Sequence, residues 1–212
     1  MNKDIFCKNE GNQYFKRNIN NLKDNNDIIL KNLDISTFQN KTILEIGCSN
    51  GWRLNELYKI NNNNTYYGIE PSKEAINFGK DNFTNINFIN GTCDKIDMED
   101  NSCDIIMIPF VLMYIDRNLL FRCISEIDRV LKNNGILIIT DFYSNRQRKN
   151  IYKHSSDTYI YKQNYFEIFI SSHNYFLTKL ECFTHNTTNM LDNYDDTCFY
   201  VELVKDNNNL FN

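Results

Sequence analysis

The chain has 212 residues, 42% hydrophobic and 24% charged, a balance that suits one globular domain with a full core. Its net charge of −4 and pI near 5.4 exclude an extended basic surface for nucleic acid, because "FKRN" and "NRQRK" are short and far apart. The seven cysteines are scattered and include no C-x-x-C pair, which argues against a disulfide framework or a metal site and fits a reducing cytoplasm.

The first residues, "MNKDIFCKNEGNQYF", lack the apolar core of a secretory signal. Next, "NINNLKDNNDIILKNLDISTF" carries Ile19, Leu22, Ile29 and Leu33 at spacings that predict a helix. "KTILEIG" predicts a buried strand, and "GWRLNELYKI" a helix with Leu54, Leu57 and Tyr58 on one face. "TYYGIEP" is a second strand. "SKEAINFGK" is a helix with Ser72 as its N-cap. "INFING" and "SCDIIMIPF" are the third and fourth strands. The polar "TCDKIDMEDNS" between them predicts a loop. "RNLLFRCISEIDRVL" is the clearest helix, with Leu120, Cys123, Ile124, Ile127, Val130 and Leu131 at three- and four-residue steps. "NNG" ends it, and "ILIITDF" is a fifth strand. The Tyr-rich stretch that follows shows no period. "NYFEIFISS" predicts a helix, and "YFLTKLECFTH" and "DTCFYVELVK" predict a final antiparallel pair.

Strand and helix alternating at this spacing imply a parallel sheet covered by helices. The longest apolar run, "DIIMIPFVLMYI", is too short to span a bilayer and is broken by Pro109. No apolar or basic flank of the kind that serves membrane substrates stands out, so no membrane insertion is expected.

Only seven glycines are present, so their positions carry information. Gly47 and Gly51 flank the first strand-to-helix turn, at the sheet edge where open α/β folds bind ligands. A dinucleotide fingerprint needs glycines two and five residues after the first. Those positions are Ser49 and Trp52, which disfavours a nicotinamide oxidoreductase. The Gly-Lys-Ser/Thr of a phosphate-binding loop is missing. What remains is E-x-G-x-x-x-G, with Glu45 before the loop and Glu70 at the end of the second strand. A carboxylate at Glu70 suits a ribose diol. Glu45 suits a cation such as an amine. A ligand with a ribose, a positive charge and no phosphate is indicated, and S-adenosyl-L-methionine fits.

With these motifs in this order, the chain resembles a class I S-adenosylmethionine-dependent methyltransferase. "LEIGCSNG" resembles the family's Gly-rich first motif, with Ser49 in place of the middle glycine, and "YGIEPS" its second. "INFINGTCDKID" resembles the segment beside the adenine, and "DIIMIPFVLMYI" the fourth-strand motif. "EIDRVLKNNGILIITDF" resembles the closing helix–turn–strand. The polar "CDKIDMED" departs from the Leu-Pro found in many members. The resemblance implies a Rossmann-like α/β fold: a mainly parallel seven-stranded sheet, helices on both faces, and a C-terminal antiparallel pair. It implies one domain over 1–212, with a helical segment covering the cofactor (1–40), the cofactor-binding core (41–141), an acceptor-side insert (142–174) and the final strand pair (175–205). For the cofactor it implies contacts from Glu45, Gly47, Cys48, Ser49, Gly51 and Trp52 around the first turn. Further contacts are implied from Glu70 and Pro71, from Thr92, Cys93 and Asp94, and from Pro109 and Phe110.

A narrower likeness, carried by "EGNQYFKRN" and "YKHSSDTYIYKQNYFEIF", is to small bacterial methyltransferases associated with surface-polysaccharide and sugar biosynthesis. It implies Tyr14, Arg17 and Asn18 near the methionine end of the cofactor, and a small sugar-like hydroxyl as acceptor. Such an acceptor must lose a proton. His154, in the insert, and Asp141, ending the fifth strand, are the candidate bases; His173 and His185 rank below them. The insert's Tyr143, Tyr152, Tyr159, Tyr161 and Tyr165 suit an acceptor wall. No metal is expected. A methyltransferase for a lipid, quinone or protein acceptor, and a non-catalytic S-adenosylmethionine-binding module, are the alternatives.

Overall fold

In the computed structural model, which describes residues 1–20, 26–184 and 196–207, the apolar run Thr42–Ile46 is strand β1 in the middle of a sheet. Its side chains alternate between two cores. Ile43 packs with Leu54 and Leu57, while Leu44 and Ile46 pack with Ile127 and Val130. A strand buried on both faces needs apolar residues at every position, which is why it reads as a continuous run rather than an alternation.

The other strands are β2 (Thr65–Glu70), β3 (Ile86–Asn90), β4 (Cys103–Pro109), β5 (Leu131–Phe142), β8 (Tyr175–Thr184) and β9 (Thr197–Lys205). With β1 they form a seven-stranded sheet in the order β3-β2-β1-β4-β5-β9-β8. The first five are parallel, and β9 runs antiparallel to both β5 and β8. This is the Rossmann-like α/β architecture expected, with its C-terminal antiparallel pair. The helices are α1 (Asn2–Ile5), α2 (Gly11–Asn18), α3 (Ile28–Asn32), α4 (Trp52–Ile60), α5 (Lys73–Asn82), α6 (Leu120–Val130) and α7 (Phe166–Ile170). Ser72 caps α5 as expected, accepting from the Ala75 N–H at 3.1 Å. Segment 92–101 contains no helix, also as expected.

Three expectations change. First, extended backbone begins at Leu131, so "NNG" lies inside β5 as an irregularity, with Asn134 at φ 60. Second, the Tyr-rich insert is ordered as a hairpin of β6 (Arg148–Tyr152) and β7 (Ser155–Lys162), separate from the main sheet. Third, the N-terminal helix begins at Asn2 and runs through a wide turn at Phe6–Glu10 into α2. The helix predicted around Ile19 to Leu33 is shorter, with α3 holding Ile29. Leu22 lies outside the described residues. Among the described residues, no helix is long and apolar enough to cross a membrane.

Candidate functional site

The sheet changes direction between β1 and β4, the place where open α/β sheets form a crevice. A cavity opens there. Its floor is Ile46 and Gly47 from the first turn and Ile69, Glu70 and Pro71 from the end of β2. Thr92, Cys93 and Asp94 form one side, and Pro109, Phe110 and Val111 another. The N-terminal helix roofs it with Lys3, Phe6, Gly11 and Tyr14.

Glu70 is held on the wall through both carboxylate oxygens. Its Oε2 accepts from the Ser49 N–H and its Oε1 from the Ser72 N–H, both at 2.9 Å. A carboxylate has about four lone-pair sites, so both oxygens can still accept from a ligand. Burial pushes its pKa up to about 7, against the pull of the two N–H groups.

The first turn shows why two glycines suffice. Gly47 and Gly51 both have positive φ, at 74° and 78°. Ser49 takes the third left-handed position, at φ 51, and this turns its N–H onto Glu70. A Cβ on Gly51 would meet Phe88 Cζ at 2.6 Å. Ser49 Oγ and Glu45 Oε2, both buried, have no protein partner. Neither residue lines the cavity, although both flank Gly47, which does.

Glu45 does face a cation, as its type suggested, but that cation is the chain's own Arg53. Arg53 Nη1 bonds Glu45 Oε1, and its Nη2 bonds Asp27 Oδ2 at 2.7 Å. Asp27 also caps α3, accepting from the Ile29 and Leu30 N–H groups. Burial pushes the Glu45 carboxyl up, and Arg53 opposes it. Trp52 does not line the cavity either; its ring lies 4.8 Å beneath the Arg53 guanidinium. Cys48 packs against Gly68 of β2, away from the wall.

Of the roof residues expected, Tyr14 is on the wall and Arg17 and Asn18 are not. Arg17 bonds Glu10 Oε1 at 2.5 Å and Tyr152 OH at 3.2 Å. The Asn18 amide donates to the Tyr14 carbonyl and so closes its own helix.

Neither candidate base lines the cavity. Asp141 is fully buried and accepts from the Met113 N–H at 3.1 Å and the Phe142 N–H at 2.8 Å. It anchors the tight turn Leu112–Tyr114, whose Tyr114 lines the wall. His154 is exposed at the hairpin turn, with its ring 5.2 Å from Tyr152. Desolvation, then Arg17 and Lys153, disfavour its charged form. His173 is exposed beyond α7, and His185 lies outside the described residues.

Several wall residues have no signal in the apolar pattern. Lys3, Tyr114 and Asp116 are examples. Asp116 accepts from the Asn2 and Lys3 N–H groups at 2.9 and 3.0 Å, and Lys3 Nζ reaches Asp94 at 2.6 Å. Burial opposes ionisation of Asp94, but Lys3 and Thr92 hold it below its ordinary value. Asn2, Phe6, Glu10 and Tyr14 recur every four residues, a helical spacing hidden by their mixed chemistry.

Burial likewise pushes Asp141 up to about 7. Glu70 and Asp141 therefore bind protons in the fold that the unfolded chain, at the ordinary 4.5 and 3.8, releases earlier. Their contribution to stability is complete below those ordinary values and is lost as pH rises through about 7. Urea midpoints should fall from about pH 5 to about pH 8. Asp141→Asn should flatten part of that fall. Midpoints that rise over the range would mean both acids are ionised in the fold.

Comparison with known proteins agrees with this geometry. A family model described as a methyltransferase domain matches residues 37–197. The chain is 32% identical over 107 residues to the ubiquinone/menaquinone biosynthesis C-methyltransferase UbiE of Campylobacter jejuni, covering 47% of this chain and 44% of that protein. It is 27% identical over 141 residues to O-methyltransferase 3 of Dictyostelium discoideum, covering 55% of this chain and 32% of that protein. The chain thus spans less than half the length of these curated relatives. A solved SAM-dependent methyltransferase from Methanosarcina mazei superposes with a TM-score of 0.66 at 16% identity, over 85% of this chain and 98% of that one. At that identity the likeness is one of fold.

Proposed function

Because the chain belongs to the methyltransferase-domain family, we propose that it transfers the methyl group of S-adenosyl-L-methionine to a small acceptor. The observation that carries this is the buried Glu70 carboxylate, held by two backbone N–H groups on the wall of the switch-point cavity. The open Ser49 Oγ and Glu45 Oε2 fit the polar tail of the same cofactor. Glu70 accepts from the ribose hydroxyls, and Thr92, Cys93 and Asp94 border the adenine.

Bound S-adenosylmethionine supplies an activated methyl group, so the chain's main task is alignment. Holding two reactants in line supplies roughly 7–11 kcal/mol of barrier lowering. Asp94 is paired with Lys3, and Asp116 and the ionised form of Glu70 add negative charge to the wall, which favours a cation there.

Phe6, Tyr14, Phe110, Tyr114, Ile115 and Leu119 give the cavity an aromatic and aliphatic wall. Such a wall suits a flat, apolar acceptor. A sugar hydroxyl would need a base, and Asp141 and His154 both lie off the wall. A phenol or quinol loses its proton far more easily. An acceptor of that class is therefore preferred to the sugar implied by the narrower sequence likeness, and the quinone-biosynthesis relative is consistent with it.

Calorimetry with S-adenosylmethionine, S-adenosylhomocysteine and NAD tests the cofactor. Binding of NAD alone would sink the proposal. Glu70→Ala should weaken cofactor binding at least about tenfold, the loss of a charged acceptor worth about 1.5 kcal/mol or more. A methyl-transfer screen over phenols, quinols and nucleotide sugars then tests the acceptor. Turnover of sugars alone would reverse the preference. Cofactor binding without any turnover would favour a binding module.

A further inference from the structure

The β6–β7 hairpin has two unlike faces. Its inner face packs behind the wall of the cavity. Tyr152 is buried, with its ring 5.4 Å from Tyr114 and 6.4 Å from Phe6, both wall residues. Asn2 ties the β7 backbone to the roof, its amide donating to the Tyr159 carbonyl at 2.6 Å and its Oδ1 accepting from the Tyr159 N–H at 3.1 Å.

The outer face carries Lys149 and Ile151 at alternate positions of β6, and Lys153 follows in the hairpin turn, all three exposed. Ile151 is 66% exposed, among the most exposed large apolar side chains described. Lys149 lies opposite Tyr161 and Ile151 opposite Tyr159, with the Lys149 ammonium 3.8 Å from the centre of the Tyr159 ring. Residues 146–162 hold five Lys and Arg against one acid, Asp157, and of the five Arg146, Lys149 and Lys153 are exposed, in a chain whose net charge is −4. Strand pairing thus assembles the exposed apolar and basic flank that is invisible in the linear sequence.

We propose that this outer face docks on an anionic phospholipid surface and sets the cavity wall beside the bilayer. Three features favour that occupant. Cations flanking an exposed aliphatic residue match a headgroup layer with acyl chains beneath it. Lys149 lies on β6 and Lys153 in the hairpin turn just beyond it, so two cations bracket Ile151 along the chain. Ile151 is the one exposed large apolar side chain of the hairpin, whereas the centre of a stable protein interface is built from several apolar and aromatic ones. A membrane-dissolved acceptor would then reach the cavity from the lipid side.

Sedimentation of the full chain with vesicles tests this. The probes are phosphatidylcholine alone and phosphatidylcholine mixed with phosphatidylglycerol. The chain is expected to bind the mixed vesicles, to ignore the neutral ones, and to be released by salt. Lys149→Glu with Lys153→Glu should weaken binding at least about tenfold. Ile151→Asn should weaken it several-fold. Circular dichroism spectra and S-adenosylhomocysteine affinity should match the parent chain in all variants. Equal binding to both vesicle types, no binding, or unchanged binding by the variants overturns the proposal. So does capture of an acidic acyl carrier protein through the same residues without vesicle binding. Vesicle binding needs no cofactor, so the docking and the methyl-transfer reading fail separately.

Discussion

Replacing Arg53 with Ala is expected to destabilise the chain by about 3–5 kcal/mol, the range for a buried charge left without its partner. The side chains of Glu45, Asp27 and Arg53 are only 1%, 10% and 12% exposed, so water does little to screen them. The loss should appear as a lower urea midpoint with an unchanged slope. A loss below about 1 kcal/mol would mean that the triad is solvated. Arg53→Lys should not rescue it, because one ammonium cannot reproduce a fork shared between two carboxylates. A triple variant, Arg53→Met with Glu45→Leu and Asp27→Ser, should recover much of the stability, since Ser keeps the cap on α3. It should not recover cofactor affinity if the open Glu45 oxygen serves the ligand. That contrast separates the structural from the binding role of Glu45.

Gly47→Ala is expected to cost about 2–5 kcal/mol, summing left-handed strain and overpacking. Gly47 sits at φ 74, and an added Cβ would collide with Val111 Cγ2. Thermal or urea unfolding measures the loss. Combining it with Val111→Ala should return the collision part and leave the strain part. If the double variant is no more stable than Gly47→Ala, contact with Val111 is not what constrains the loop. Because Val111 follows β4 and lines the cavity, cofactor affinity should fall with stability in the single variant.

These predictions rest on residues of different legibility. The place of Glu70 on the wall is legible in the sequence because it follows from position alone: an acid at the C-terminal end of a strand, at the edge of a parallel sheet where ligands bind. Motif order points to Pro71, Thr92, Cys93, Asp94, Pro109 and Phe110, the flanking "EGNQYFKRN" points to Tyr14, and all seven reach the wall. Asp141 and His154 were chosen as acids or bases near the right strand ends. Chain position does not report which way a side chain points. Asp141 turns into the backbone of the tight turn Leu112–Tyr114, and His154 into solvent.

The sequence by itself determined the sheet, its order of elements and its binding edge. Those depend on local chemistry: continuous apolar runs for strands buried on both faces, a Ser cap at α5, and glycines where φ must be positive. Only the tertiary structure decided what surrounds each charge. Glu45 meets Arg53 and Asp27, residues eight and eighteen positions away on different elements. The basic hairpin face and the Asn2 tie to β7 also join distant segments. Electrostatic partners and exposed faces are set by distances through space, and a linear pattern carries no record of those until the chain has folded.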